Sequence, residues 1–208
     1  CFKCHSSSAF GIVPDGVTSI AGPSGTFVTD QAMEFNTANR SAHPVQAGLM
    51  GQSGSSIPQA LASEALTPEW NNPGVQTMYC SDCHGPDQAV SATVPAGPHG
   101  SSFQYMLTGR GKYWPENASG QLWSLNDVKG NLNNWQNDLF CANCHTLATA
   151  GVFTNNVHGE PDHLGAEVKC VTCHVAVPHG SKRSRLIGYA SDVAPYNNAG
   201  FGTYDKLV

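Results

Sequence analysis

The pattern Cys-x-x-Cys-His occurs four times in 208 residues: Cys1-Phe-Lys-Cys4-His5, Cys80-Ser-Asp-Cys83-His84, Cys141-Ala-Asn-Cys144-His145 and Cys170-Val-Thr-Cys173-His174. These boxes use all eight cysteines of the chain. Each is the attachment signature of a c-type haem, in which both thiols form thioethers with the haem vinyl groups and the adjacent imidazole binds the iron. One such box is a weak signal, because zinc and redox sites also use Cys-x-x-Cys. Four of them with no cysteine left over are specific. Disulfides would leave a histidine after every pair without a role, and two zinc sites would leave the histidines partly redundant. The boxes therefore predict four covalent haems c, held by Cys1, Cys4, Cys80, Cys83, Cys141, Cys144, Cys170 and Cys173, with His5, His84, His145 and His174 as proximal ligands.

That prediction also sets the expected architecture. Only 12% of residues are charged and 40% are hydrophobic, and glycine, proline, serine and asparagine are spread through the chain. Few stretches keep a helical or alternating period, so a core of packed helices or sheets is not expected and the haems should supply much of the interior. The expected fold class is a multihaem cytochrome c, mostly coil and loop with a few short helices and very little strand. Short helices are expected from Thr29 to Arg40, from Ser55 to Leu66 and in parts of Leu122 to Phe140. Trp123 and Trp135 are expected on haem or in core. No apolar run approaches the ~20 residues of a membrane span.

Nine histidines are present. After the proximal four, His43, His99, His158, His163 and His179 remain as distal candidates, one more than four bis-histidine irons need. Met33, Met50, Met78 and Met106 read better as apolar packing than as axial ligands. In "CVTCHVAVPHG" the two histidines His174 and His179 are five residues apart. A five-residue link reaches at most about 17 Å, too short to round the porphyrin rim and return to the opposite face of the same iron. His179 should therefore serve a neighbouring haem, with Pro178 restricting the approach and Gly180 letting the backbone pass close over a ring.

The stretch Pro98-His99-Gly100-Ser101 after box two matches Pro178-His179-Gly180-Ser181 after box four. Each is followed by basic and apolar residues: Met106, Leu107, Arg110 and Lys112 in one half, Arg183, Arg185, Leu186 and Ile187 in the other. The chain thus reads as one tetrahaem domain over residues 1–208, built as two dihaem modules of approximately 1–112 and 113–208. By that repeat His99 pairs with the haem of His5 and His179 with the haem of His145. His43 and one of His158 or His163 then take the remaining irons, and the choice between those two is open.

The boxes with "GPHGS" and "VPHGSK", together with "NRSAHPV" around His43, resemble the multihaem outer-surface cytochromes of metal-reducing bacteria, and the tetrahaem count is similar to members that polymerise into extracellular cytochrome filaments. The resemblance implies four stacked haems in alternating parallel and perpendicular pairs and head-to-tail assembly of identical subunits. It also implies one axial histidine donated across the subunit boundary, for which His43 is the candidate. Redox-partner cytochromes and extracellular acceptors would complete the path.

Close haems of like ligation exchange electrons without making bonds, so electron conduction is the expected function. A soluble tetrahaem shuttle is the alternative. A multihaem reductase would need one iron with an open position beside acid or base groups, and nothing marks such an iron, so no enzyme is expected. The cluster Ser181-Lys-Arg-Ser-Arg185 is expected to face haem propionates rather than nucleic acid, given a net charge of -5. Haem attachment takes place outside the cytoplasm, so export through the periplasm to the cell surface or beyond is expected, after removal of a secretory leader.

Overall fold

The structure is a computed structural model, and it describes residues 1–2, 5, 19–21, 27–29, 31–48, 61–72, 74–87, 93, 99–147, 158, 168–189 and 191–192. His163 and Cys4 lie outside the described residues. Most of the described chain is coil, turns and single-turn helices. Two small antiparallel pairs supply the strands: β1 (Ser19–Ala21) with β2 (Phe27–Thr29), and β3 (Ser41–Ala42) with β4 (Gly180–Ser181). Among the described residues the α-helices are α1 (Gln31–Glu34), α2 (Cys80–Cys83), α3 (Leu125–Lys129) and α4 (Trp135–Asp138).

These helices are short for local reasons. At α3, Ser124 and Asp127 cap each other: the Asp127 amide donates to Ser124 Oγ at 3.3 Å and the Ser124 amide to Asp127 Oδ2 at 2.7 Å, satisfying two donors that a helix start leaves free. Gly130 ends the helix. The chain then turns through Asn131, Asn133 and Asn134, all at positive φ of 54°, 53° and 51°, a conformation that asparagine tolerates better than most residues. The asparagine-rich sequence therefore breaks one expected helical region into two pieces. Between Thr29 and Arg40 only the single turn of α1 forms, and of the Ser55–Leu66 stretch the described part is a 3-10 turn at Ser63–Ala65.

The interior differs from the expectation in one respect. Among the described residues there is a protein core made by Leu107, Trp114, Trp123, Val128, Trp135, Leu139, Ala142 and Val171. Trp123 and Val171 are wholly buried. Two of the three indoles are tied in by their N–H groups as well as by area: Trp123 Nε1 donates to the Tyr113 carbonyl at 3.1 Å and Trp114 Nε1 to the Ala176 carbonyl at 2.9 Å, whereas Trp135 Nε1 is buried without a partner among the described residues. No periodic pattern announced this core because its members come from separate loops and single-turn helices, each supplying one or two side chains.

The two halves of the chain are not separately closed. Strand β3, near residue 41, pairs with β4, near residue 180, and the Ser41 hydroxyl donates to the Arg183 carbonyl at 2.6 Å while accepting from the Leu186 amide at 2.8 Å. Loop 41–48 is thereby pinned across the region that follows the fourth box.

Candidate functional site

All four boxes share the same closing hydrogen bond. The amide of each histidine donates to the carbonyl of the first cysteine, His5 to Cys1 at 2.9 Å, His84 to Cys80 at 2.8 Å, His145 to Cys141 at 2.9 Å and His174 to Cys170 at 2.9 Å. In the second, third and fourth boxes one helical turn puts positions i, i+3 and i+4 on one face, so two thiols and an imidazole are presented together. The seven described cysteines are unpaired. Burial pushes Cys141, Cys83 and Cys170 up to about 12 and Cys144 up to about 11. These are neutral thiols, unlike the low-pKa thiolates of redox sites.

Three boxes are held by the same kind of strap, which follows the box in sequence at boxes two and four and precedes it at box three. A 3-10 turn leads into a residue bridged antiparallel to the box histidine: Leu66 with His145, Leu107 with His84 and Ile187 with His174. The residue after the strap donates to the second cysteine, Thr67 to Cys144 at 2.8 Å, Thr108 to Cys83 at 2.9 Å and Gly188 to Cys173 at 2.9 Å. The repeat read around Met106-Leu107 and Leu186-Ile187 is thus a repeat of hydrogen bonding.

The histidines meet in pairs. Ring centroids are 6.2 Å apart for His5–His99, 6.0 Å for His84–His179, 6.3 Å for His145–His43 and 5.9 Å for His174–His158. A metal–imidazole nitrogen bond is about 2.0–2.1 Å and the ring centroid lies roughly 1.1 Å further on, so two imidazoles across one metal place their centroids about 6.2–6.4 Å apart. Two pairs, at 6.2 and 6.3 Å, fall in this range and two, at 6.0 and 5.9 Å, lie just below it, and each contains one box histidine and one of the distal candidates. Among the described residues no three His, Cys, Asp or Glu side chains converge into a metal-holding cluster. A lone imidazole pair suits a metal whose other ligands come from a macrocycle.

The pairs differ from the expected assignment in two places. His179 faces His84, not His145, and His43 faces His145, not His84 or His174. The β3–β4 pairing is the cause. It lays residue 43 beside residue 179, with the His43 amide donating to the His179 carbonyl at 3.0 Å, and the two rings diverge to different partners. His99 stands opposite His5 and His158 opposite His174.

Hydrogen bonds on the far ring nitrogen fix the tautomer. His84 Nδ1 donates to the Tyr105 carbonyl at 2.7 Å, His174 Nδ1 to the Arg185 carbonyl at 3.1 Å and His43 Nδ1 to the Pro178 carbonyl at 2.5 Å. A carbonyl can only accept, so Nδ1 carries the proton and Nε2 keeps its lone pair, the form in which histidine binds metals. His179 Nδ1 instead meets Glu34 Oε2 at 2.5 Å. Burial, with neighbouring His43 and His174, lowers His145 to about 4, and burial, with His174, Arg185 and Lys129, lowers His158 to about 4. Burial also lowers His5, His43, His84 and His174, so these rings are neutral at neutral pH and available as ligands.

Adjacent pairs lie close to one another. His84 lies within electrostatic reach of His5, His43 lies beside His179, and His145 lies within reach of His174. Cys83 likewise interacts with Cys144, and Cys170 with Cys141. The pairs therefore run in the order of their boxes, first to fourth.

The sequence reading overlooked the groups that hold the rings. Glu34 is fully buried against His179, and its only advance signal was a carboxylate in a chain with few charges. Pro178 contributes a carbonyl as well as a restricted φ. Gly180 is required by a different neighbour than supposed: a Cβ there would collide with the Glu34 carbonyl oxygen. In the basic cluster, Arg183 pairs with Asp192 at 2.8 Å and lies 4.3 Å from the Tyr189 ring centroid, so that guanidinium has protein partners. Comparison with family models, with curated proteins and with solved structures yields no match to this chain.

Proposed function

We propose that this chain is a tetrahaem c-type cytochrome that conducts electrons along four bis-histidine haems. The observation that carries the reading is the set of four imidazole pairs, 5.9 to 6.3 Å between centroids, each joining a Cys-x-x-Cys-His histidine to a distal one. The bound haems would supply one-electron iron chemistry at shared axial ligation. The chain's part is to anchor each macrocycle through a one-turn box, hold both imidazoles with their lone pairs inward, and keep successive pairs adjacent. Cys1, Cys4 and His5 with His99 would hold the first haem, and Cys80, Cys83 and His84 with His179 the second. Cys141, Cys144 and His145 with His43 would hold the third, and Cys170, Cys173 and His174 with His158 the fourth.

Every box histidine has a facing imidazole, which favours conduction over a reductase with an open iron. Among the described residues no helix is long and apolar enough to cross a membrane. The motif resemblance supports a further step, that the subunit assembles head to tail with identical copies into an extracellular filament carrying electrons from redox partners to external acceptors. A head-to-tail contact that does not close yields a fibre. With all four pairs formed within one chain, assembly on this reading needs no ligand in trans.

Intact mass tests the first claim: four haem additions are expected, and fewer would refute it. The ferric absorption spectrum should be wholly low-spin, and a substantial high-spin fraction would favour the reductase. Negative-stain microscopy of secreted material should show filaments, whereas discrete particles at all concentrations would leave the soluble shuttle.

A further inference from the structure

The geometry points to Glu34 as the residue that makes the second haem, ligated by His84 and His179, the lowest-potential member of the series. This rests on the tetrahaem reading above. Glu34 is 0% exposed, and its Oε2 lies 2.5 Å from His179 Nδ1. The other three Nδ1 contacts described run to neutral carbonyls of Tyr105, Arg185 and Pro178. A carboxylate on the far nitrogen of a ligating imidazole fixes the ring and raises its basicity. It also places a negative charge in a buried site, where charges are weakly screened. Both effects favour ferric over ferrous iron.

The carboxylate is built in rather than incidental. The Gln31 amide donates to the His5 carbonyl at 3.1 Å, which starts α1 at the first box. Asn39 Nδ2 donates to the Glu34 carbonyl at 2.7 Å, and that carbonyl occupies the space left open by Gly180. Phe35 lies 4.7 Å from the His179 ring centroid, so consecutive side chains of the turn hold the imidazole by a hydrogen bond and by ring contact. Because the second pair lies between the first and third, its iron would exchange single electrons with its neighbours as an internal uphill station. No bond breaks in that exchange, and the Nδ1 proton stays in place.

The test is a potentiometric titration of the full-length, four-haem protein, followed by absorption and by electron paramagnetic resonance. In the wild type one midpoint should lie below the other three by at least a tenfold ferric preference, about 59 mV for one electron. Glu34→Gln keeps the shape and a hydrogen-bond acceptor, and it should raise that one midpoint by a similar amount while all four haems stay low-spin. Glu34→Asp, which keeps the charge, should recover part of the shift. Four overlapping midpoints in the wild type, or an unchanged lowest midpoint in Glu34→Gln with four low-spin haems, would overturn the assignment and leave the tetrahaem reading intact. A wild type without four haems would instead sink the reading beneath it.

Discussion

Gly100 and Gly180 hold the same place in the two Pro-His-Gly-Ser repeats, yet their surroundings differ completely. A Cβ at Gly100 would meet nothing within 4 Å, whereas one at Gly180 would strike the Glu34 carbonyl and come within 3.2 Å of Asn39 Nδ2. Neither glycine is in the left-handed region, so alanine is sterically permitted by the local backbone at both and the comparison isolates packing. Gly100→Ala should be neutral or stabilising by roughly 0.4–1 kcal/mol, through lost freedom of the unfolded chain. Gly180→Ala forces a backbone carbonyl to move, an overpacking cost of roughly 1–3 kcal/mol. In a chain of this length 1 kcal/mol is about 2–4 °C in Tm, so a fall of roughly 2–12 °C is expected for Gly180→Ala and a small rise for Gly100→Ala. Calorimetry of the haem-loaded proteins measures both. Because displaced Glu34 would also leave His179, the lowest haem midpoint should rise in Gly180→Ala alone. Equal Tm shifts in the two variants would refute the placement of α1 against β4.

Other outcomes follow from the ligand pairs. Replacing His43, His99, His158 or His179 by alanine should each convert one of four haems to high-spin, visible in the ferric absorption spectrum, while His163→Ala leaves all four low-spin because the eight other histidines complete the pairs. The ring planes of His158 and His174 are 11° apart, against 72° for His84–His179 and 65° for His145–His43. Parallel ligand planes separate the iron d orbitals more than crossed ones, so ferric paramagnetic resonance should show one ordinary rhombic signal beside strongly anisotropic ones; four identical rhombic signals would contradict the pairing. At Asp127, burial raises the carboxyl but bonds from Ser124 and Asn133 outweigh it and hold it below the usual carboxylate range. A depressed carboxylate stabilises the fold above its unfolded value of about 3.9 and loses that contribution as pH falls through the folded value. Asp127→Asn should therefore cost about 1 kcal/mol at pH 7, the size of a helix cap, and flatten the acid limb of the stability profile; an unchanged limb would refute the role.

The four boxes could be read directly from their fixed spacing, and the five other histidines could be read as candidates to face them. Reach alone separated His179 from the iron of His174, and the structure places that ring against His84. The full assignment was out of reach, since it depends on a two-residue strand pair between positions 140 residues apart, which no local pattern encodes. The repeat suggested that each half closes on itself, but β3 and β4 exchange His43 and His179 between the halves. The tryptophan core was similarly hidden: Trp114, Trp123 and Trp135 follow no common period and are brought together by two loop positions and the start of α4.

The straps show why so irregular a chain still specifies its ligands. At boxes two and four the strap carries two successive non-glycine residues in the left-handed region, Tyr105 and Met106 at φ 56° and 56°, and Arg185 and Leu186 at 61° and 55°. Such a backbone costs roughly 1–2 kcal/mol per residue, so its recurrence at equivalent positions needs a return. That return is the carbonyl of the first residue of each pair, which the turn aims at Nδ1 of the box histidine. At box three the corresponding residues Glu64 and Ala65 are not in that region, and the Glu64 carbonyl accepts from Thr146 Oγ1 at 2.8 Å. The strained turn occurs where a carbonyl holds an imidazole and is missing where a threonine takes that carbonyl. Backbone strain at these two straps therefore goes with orienting box imidazoles, which is what the proposed function, with its dependence on ring geometry, would require.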